Sequence, residues 1–433
     1  MNILICLNSG KHISYVSSLF QILSENHKLF INCYKDKKDK DYLQYIKNFN
    51  IKEIEFIIDT SFLSKFMRNY DEVLSLCKFL QHDDVYYSKR FSQFGSSIQK
   101  KILSKKILKK ILTFCFKLKF LEFLRIIFLI FLNYNNDIIN QFKNNQINHC
   151  IVTPGNHKDS VEIEYIRIAK KLNLKSSAIV RSWDVLTTKS IFRYKPDTFF
   201  CWNNFHEESL KKYHSIESNI KKSGSLFFEK WFDKRNLMKE QNIDKNRIIY
   251  FGSSEKIVKH LDADIVIRFN NFLQKFNKKT GKNFDIVFRP HPANNLPIKK
   301  IISAGIKVDP EQANNLIVNN EDQITFVNNL KKCLFTIGVN TSAMIDSIIL
   351  DIPTVALVVK NEKIIQFQSA HFRHIVDEGI VYQYQLLEEN LESLFSKVKT
   401  DTLHYQRKNY VRNNIFIDDS KPSQLIANVL NEN

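Results

Sequence analysis

At 433 residues the chain is too long for one hydrophobic core and fits two domains of about 200 residues each. Hydrophobic residues at 44% and charged residues at 25% exclude a disordered chain. Seven scattered cysteines without a C-x-x-C pair argue against a disulfide framework and a zinc site and fit a reducing compartment, and the net charge of +19 reflects either a lysine-rich composition throughout or an anionic partner.

The opening MNILICLNSG has an apolar run too short for a signal peptide and no basic segment ahead of it, so it reads as a first strand and the expected location is the cytoplasm. Strand-like runs follow at Lys28–Tyr34, Ile54–Ile58, His149–Thr153, Ser177–Val180 and Thr198–Trp202. A helix over Asp159–Leu172 places Ile163, Ile166, Ala169 and Leu172 on one face. The second half repeats the alternation, with strands at Arg247–Phe251, Asp285–Phe288, Leu316–Val318, Cys333–Ile337 and Thr354–Val358. Helices are predicted over Leu261–Phe276, Asp322–Leu330 and Ser342–Leu350. Such alternation predicts an α/β protein: two Rossmann-like, doubly wound domains that face a cleft, with ligands beyond the strands' carboxyl ends. The boundaries are 1–228 with a helical insertion over about 85–145, a linker at 229–246, a second domain at 247–405 and a helical tail at 406–433.

The insertion breaks the alternation. Between Gln99 and Leu132, lysines 100, 101, 105, 106, 109, 110, 117 and 119 interleave with Ile, Leu and Phe at helical spacing. The uninterrupted apolar stretch falls far short of the roughly 20 residues a spanning helix needs. A basic amphipathic segment of this kind suits the surface of the inner membrane, or packs its apolar side on the first domain. No aromatic-basic RNA-binding pattern occurs, so nucleic acid is not an expected partner.

The residues able to carry chemistry cluster after strands. In FDIVFRPHPANN (284–295) the prolines stop a strand and present Arg289 and His291 at its carboxyl end. A guanidinium suits bidentate phosphate contact, and an imidazole can donate to a phosphate or protonate a leaving one. In LFTIGVNTSAMIDSIILDIPTVAL (334–357), a strand leads through Gly338 and Asn340 into a helix starting near Thr341 and Ser342. Small hydroxyl residues there can cap the helix and leave N–H groups for an anion. Gly252, Ser253 and Ser254, after the strand at 247–251, add backbone donors, and Lys256 adds charge. A base is expected from the first half: Asp184 first, beside Trp183 and the turn Leu186–Lys189, then His157, then His12 in Asn8–His12. Glu162 and Glu164 read as solvated helix residues, and His371 and Arg373 either as solvated loop residues or as ligand contacts. Asp262-Ala263-Asp264 has D-x-D spacing, but on a helix its carboxylates point apart, so neither metal nor cofactor is expected.

The R-P-H-P turn, the strand-G-x-N-T-S-helix unit and the D-I-P-T-V strand together resemble the C-terminal half of bacterial GT-B transferases of capsule and surface polysaccharide synthesis. Related patterns occur in CDP-glycerol glycerophosphotransferases, capsule Kdo transferases and sialyltransferases with "HP" and "Ser-Ser/Thr" motifs. The resemblance implies that His291 and Thr341–Ser342 hold the phosphate of a nucleotide-activated sugar donor. VRSWDVLTTKSIFRYKPDTFFCWNN (180–204) is similar to a stretch of uncharacterised GT-B-like proteins, with Val185 and Ser190 where Asn and Gly are usual. The likeness covers roughly residues 150–380. It implies a metal-independent glycosyltransferase with a glycan or lipid-linked acceptor. The rival readings are a CDP-glycerol-type phosphotransferase, a UDP-sugar 2-epimerase-like isomerase, and a non-catalytic GT-B-like glycan-binding protein.

Overall fold

The computed structural model describes residues 1–157, 160–239, 245–254, 261–292, 294–310, 320–358 and 368–432. The strand expected at Leu316–Val318 and the phosphate contact expected of Lys256 lie outside them. Two compact units are present, Met1–Glu229 with Asn414–Asn433, and Lys230–Asn413.

The first unit is built on seven parallel strands in the order β3-β2-β1-β4-β5-β6-β7. These are β1 (Asn2–Ser9), β2 (Lys28–Lys35), β3 (Lys52–Glu53), β4 (His149–Thr153), β5 (Lys175–Ile179), β6 (Thr198–Cys201) and β7 (Ile220–Lys222). Its central strands are continuous apolar runs because both faces are covered. Along β1, Leu4 and Cys6 enter one core while Ile3, Ile5 and Leu7 enter the other. The run Ile54–Ile58 is not a strand. Ile54 and Phe56 are buried as its alternation requires, but strand pairing stops at Glu53, and the Ile57 amide donates to the Tyr165 hydroxyl at 2.9 Å instead.

Helix α1 (Ser17–Asn26) follows β1. The helical block between β3 and β4 opens at Phe62, earlier than the expected 85, and consists of α2 (Phe62–Leu80), α3 (Asp84–Phe94), α4 (Ser97–Ser104), α5 (Lys106–Lys117), α6 (Phe120–Phe131) and α7 (Asn136–Asn144). The basic segment is therefore three helices rather than one. Lys119, at φ +58°, makes the break between α5 and α6. Ser96 and Gln99 close a reciprocal capping box at the start of α4.

The second unit holds six parallel strands in the order β10-β9-β8-β11-β12-β13. They are β8 (Arg247–Phe251), β9 (Asp285–Arg289), β10 (Lys307–Val308), β11 (Cys333–Gly338), β12 (Thr354–Val358) and β13 (Tyr382–Gln385). Helix α8 (Leu261–Thr280) buries Ala263, Val266, Phe269 and Leu273 on one face against this sheet. Helix α9 (Ala343–Ile349) follows β11. The C-terminal helix α10 (Pro422–Asn431) belongs to the first unit: Ile426, Ala427 and Leu430 enter its core beside α1. Glu229 receives the Ser423 amide at 2.8 Å and its hydroxyl at 2.5 Å, fixing the start of α10.

Candidate functional site

Both sheets grow outward in two directions from their first strand, so the order reverses between β1 and β4 and between β8 and β11. In open parallel sheets, ligands bind beyond the strand ends at such a reversal.

In the first unit, the segments after β1, β4 and β5 bring together His12, His157 and Arg181. The Arg181 guanidinium bonds His12 Nε2 through Nη1 and His157 Nε2 at 3.3 Å through Nη2, and it lies 5.6 Å from the centre of the Tyr15 ring. Burial, then the charge of Arg181, lowers His12 to about 2, so its imidazole is neutral at pH 7. Because Nε2 accepts from the guanidinium, the ring proton sits on Nδ1, which is buried without a hydrogen-bond partner among the described residues. Beneath them Glu162 is fully buried and its carboxyl is raised by burial. Asn8 Nδ2 donates to it at 2.9 Å and the Gly155 amide at 3.0 Å. Glu162 is therefore not the solvated helix residue that its periodicity suggests. The helix starts only at Glu164, since Glu162 turns back to Gly155 while Ser160 Oγ accepts the His157 amide at 2.8 Å. Glu164 is not solvated either; it pairs with Arg68 at 2.7 Å. Gly155, at φ +76°, cannot carry a side chain: a Cβ would come within 2.8 Å of Phe192.

Asp184 lies three residues beyond Arg181, and its carboxylate is held within its own turn. It accepts from Ser182 Oγ at 2.8 Å and Thr188 Oγ1 at 3.0 Å, with Lys189 Nζ at 4.0 Å. Much of the 180–204 motif is structural. Trp202 Nε1 donates to the Val180 carbonyl at 2.9 Å, and Asn203 caps the following helix by accepting the His206 amide at 3.0 Å.

In the second unit, three adjacent strands, β9, β8 and β11, deliver Arg289 and His291, then Ser253 and Ser254, then Gly338 to Ser342. Gly252 N donates to the Arg289 carbonyl at 2.8 Å, and Asn294 Nδ2 donates to the Ser253 carbonyl at 3.0 Å, which locks the R-P-H-P turn to the loop after β8. Asp262 holds that loop from below, accepting the Ser253 amide at 2.7 Å and the Tyr250 hydroxyl at 2.9 Å. Burial pushes its carboxyl up to about 7. Asp264 points elsewhere, to Lys300 at 2.5 Å, as expected for the two carboxylates of a D-x-D on a helix. Ser253 Oγ is buried with no hydrogen-bond partner among the described residues. Burial lowers both Arg289 and His291, and the guanidinium packs 4.7 Å from the centre of the Phe326 ring. Asn340 has φ +136°, a strained backbone for an L residue, and its side chain donates to Ser369 Oγ at 3.2 Å, which meets His371 Nε2 at 3.3 Å. His371 is thus tied to Asn340, whereas Arg373 is exposed. The expected N-cap differs: α9 starts at Ala343, and the Ser342 side chain makes no capping bond because its own backbone is already helical.

Three residues of the second unit escape a reading of the sequence. Asp346 on α9 is buried, accepts from Trp231 Nε1 at 2.5 Å, and interacts electrostatically with Lys230 and Arg289. Burial raises Asp346 and lowers Lys230. Trp231 is separated from Asp346 by 115 residues, so no local pattern announces the pair. Arg181 of the first unit was missed as well, although its place just beyond the carboxyl end of β5, like that of Arg289 on β9, is a signal that could have found it. Among the described residues, Asp351, Asp401 and His404 have the spacing of metal ligands. Arg407, fully buried, already bonds both carboxylates at 2.9 and 2.7 Å, which makes the cluster an ion-pair network.

No family model matches the chain, and no curated protein sequence does either. Solved structures do. The UDP-GlcNAc 2-epimerase of Methanocaldococcus jannaschii superposes with a TM-score of 0.55 at 12% identity over 100% of both chains. MurG of Acinetobacter baumannii gives 0.51 at 10% identity, covering 100% of this chain and 99% of that one. A glycosyltransferase of Rickettsia africae gives 0.50 at 11% identity, covering 99% and 97%. The fold is GT-B. At these identities the likeness extends to the fold alone. Within that GT-B fold, the strand ends that carry Ser253, Arg289 and His291 belong to the C-terminal unit, and those that carry His12, His157 and Arg181 to the N-terminal one.

Proposed function

We propose that the chain is a metal-independent glycosyltransferase that takes a sugar from a nucleotide-activated donor. The observation that carries this reading is the convergence, at the strand reversal of the second sheet, of Arg289, His291 and the buried Ser253 hydroxyl, which has no hydrogen-bond partner among the described residues. A cation, an imidazole and a buried donor there suit the phosphates of a nucleotide sugar, and charge stabilisation of the leaving phosphate needs no metal. Gly338, Asn340, Thr341, Ser342 and Ser254 complete the donor contacts. His291 donates to the leaving phosphate. The structural neighbours support a nucleotide sugar as the ligand, since one is a UDP-GlcNAc 2-epimerase and another a glycosyltransferase.

The acceptor is a cell-surface glycan or a lipid-linked one, in the assembly of a capsule or lipopolysaccharide, met at the cytoplasmic face of the inner membrane. Its hydroxyl is activated from the first unit, where His157 and Asp184 are the candidate bases. The hydrogen bonds from Ser182 and Thr188 weaken Asp184 as a base, and the Arg181 guanidinium likewise engages the Nε2 lone pair of His157 at 3.3 Å, so either candidate acts only when the acceptor displaces those contacts.

The epimerase neighbour favours a second reading, an isomerase acting on a UDP-sugar. Against it, Glu162 is the one fully buried carboxylate among the described residues around the first strand reversal, beside the basic side chains of His12, His157 and Arg181. Incubation with nucleotide sugars separates the two. A transferase releases nucleotide only when acceptor is added. An isomerase yields the epimeric nucleotide sugar with no acceptor, and a polyol phosphotransferase yields a product that contains phosphorus.

A further inference from the structure

The insertion carries a face that the fold does not use. On α5 and its C-cap, Ile107, Ile111, Phe114 and Leu118 fall on one stripe and are 53–76% exposed. On α6, Phe123, Ile126 and Ile130 form a second stripe, 58–76% exposed. The opposite sides of these helices are anchored. Phe116 and Leu121 are buried, the Tyr70 hydroxyl donates to the Leu121 carbonyl at 2.7 Å, and Arg125 pairs with the buried Asp71 at 2.6 Å. Phe128 packs edge-on against Phe66 and Tyr70 of α2. The apolar stripes are thus held outward by a well-packed hairpin.

Basic charge runs alongside. Lys106, Lys110 and Lys117 each directly precede an apolar residue of the α5 stripe, so an exposed lysine row lies about 100° round the helix from it. Lys100, Lys101, Lys105 and Lys119 are exposed as well, and Glu122 is the one acidic residue between 100 and 132. Contiguous exposed apolar surface on this scale marks an interaction site. A second copy of the chain would bring lysine row against lysine row. A membrane span is excluded here: α5 and α6 have 12 residues each, about 18 Å against the ~30 Å hydrocarbon core, and no described helix is long and apolar enough to cross.

We infer that the α5–α6 face lies flat on an anionic lipid bilayer, with Ile107, Ile111, Phe114, Phe123 and Ile130 sunk to the boundary between headgroups and acyl chains. The lysines extend to the anionic headgroups. This deepens the transferase reading, on which it rests for what the docking serves: it carries the enzyme to a lipid-linked acceptor.

Flotation of the full chain with vesicles tests it, without any nucleotide sugar. On vesicles of about seven parts phosphatidylcholine to three of phosphatidylglycerol the protein floats, and on phosphatidylcholine alone it stays behind. The Lys106→Gln/Lys110→Gln/Lys117→Gln variant binds roughly 100-fold more weakly, at about fivefold per lysine. The Ile111→Ser/Phe114→Ser/Phe123→Ser/Ile130→Ser variant no longer floats, and both variants stay folded, with a cooperative melting transition, because the lysines are exposed and the apolar groups more than half so. Failure of the parent to float on anionic vesicles overturns the inference, as does equal flotation of the serine variant, which would assign binding to net charge elsewhere. A parent that stays unbound and is dimeric, turned monomeric by the serine changes, assigns the face to a second copy instead. Nucleotide-dependent stabilisation of the same preparations reports separately on the transferase reading.

Discussion

Arg181 donates to Nε2 of His12 and so leaves the imidazole's one proton on Nδ1, a buried donor with no partner among the described residues. A guanidinium is never an acceptor, so the pair fixes a tautomer that an isolated histidine would not keep. A donor left unmade in the apo protein is one that a substrate oxygen can satisfy. Replacing His12 by Ala is therefore expected to lower kcat/KM about 100-fold or more while leaving the fold intact. Steady-state kinetics alongside a melting curve check it.

His214 and His149 set an acid limit on stability. Burial holds each near 4, against an ordinary value of 6.5. Both sit neutral in the folded state while the unfolded chain takes up a proton as pH falls below 6.5. Their contribution is therefore complete above that value and is lost as pH falls towards 4. Urea unfolding at a series of pH values between 7 and 4 should show the loss. A His214→Asn variant should lose less of its own stability over that window than the parent does.

Asp262 has the opposite sign. Its folded value of about 7 lies above the ordinary 3.8, so the native state holds a proton that the unfolded chain releases. Its stabilising share is present at low pH and declines as pH rises from about 4 to 7. Asp262→Ala strands the Tyr250 hydroxyl and the Ser253 amide, at about 1–3 kcal/mol for each buried group. Chemical denaturation at fixed pH measures that cost. Nucleotide affinity is expected to fall with it, because the Ser253 loop loses its support.

Arg407 is fully buried between Asp351 and Asp401. Arg407→Ala takes the guanidinium from between two carboxylates, leaving His404, 2.6 Å from Asp351, as the remaining partner, and is expected to destabilise the second unit by about 3 kcal/mol. Chelator should have no effect on the parent's melting temperature, since a guanidinium occupies the cluster rather than a metal ion.

The parallel sheets were legible because their central strands are buried on both faces and read as uninterrupted apolar runs, as in Asn2–Ser9 and Arg247–Phe251. The edge strands were not. Lys307–Val308 and Ile220–Lys222 are two and three residues long and mostly polar, too short for a period to show. At the site, residues at or just beyond the carboxyl ends of strands, such as Arg289, His291 and His157, could be picked out by position. Glu162 could not: helical spacing describes a face, and a side chain that turns back to cap a loop breaks that rule without altering the pattern. Trp231 and Asp346 meet only through the tertiary fold, and nothing near either residue in sequence reports the other.

The central claim is that Arg289, His291 and Ser253 bind the phosphate of a nucleotide-activated donor. Thermal unfolding with CMP, CDP, UDP, GDP and ADP, run beside His291→Ala and Arg289→Ala, tests it most directly. One nucleotide, at a hundred times its dissociation constant, should stabilise the parent by about 2.7 kcal/mol and leave both variants unmoved. Stabilisation of the variants to the same extent as the parent, or of the parent by none of the five, contradicts the account.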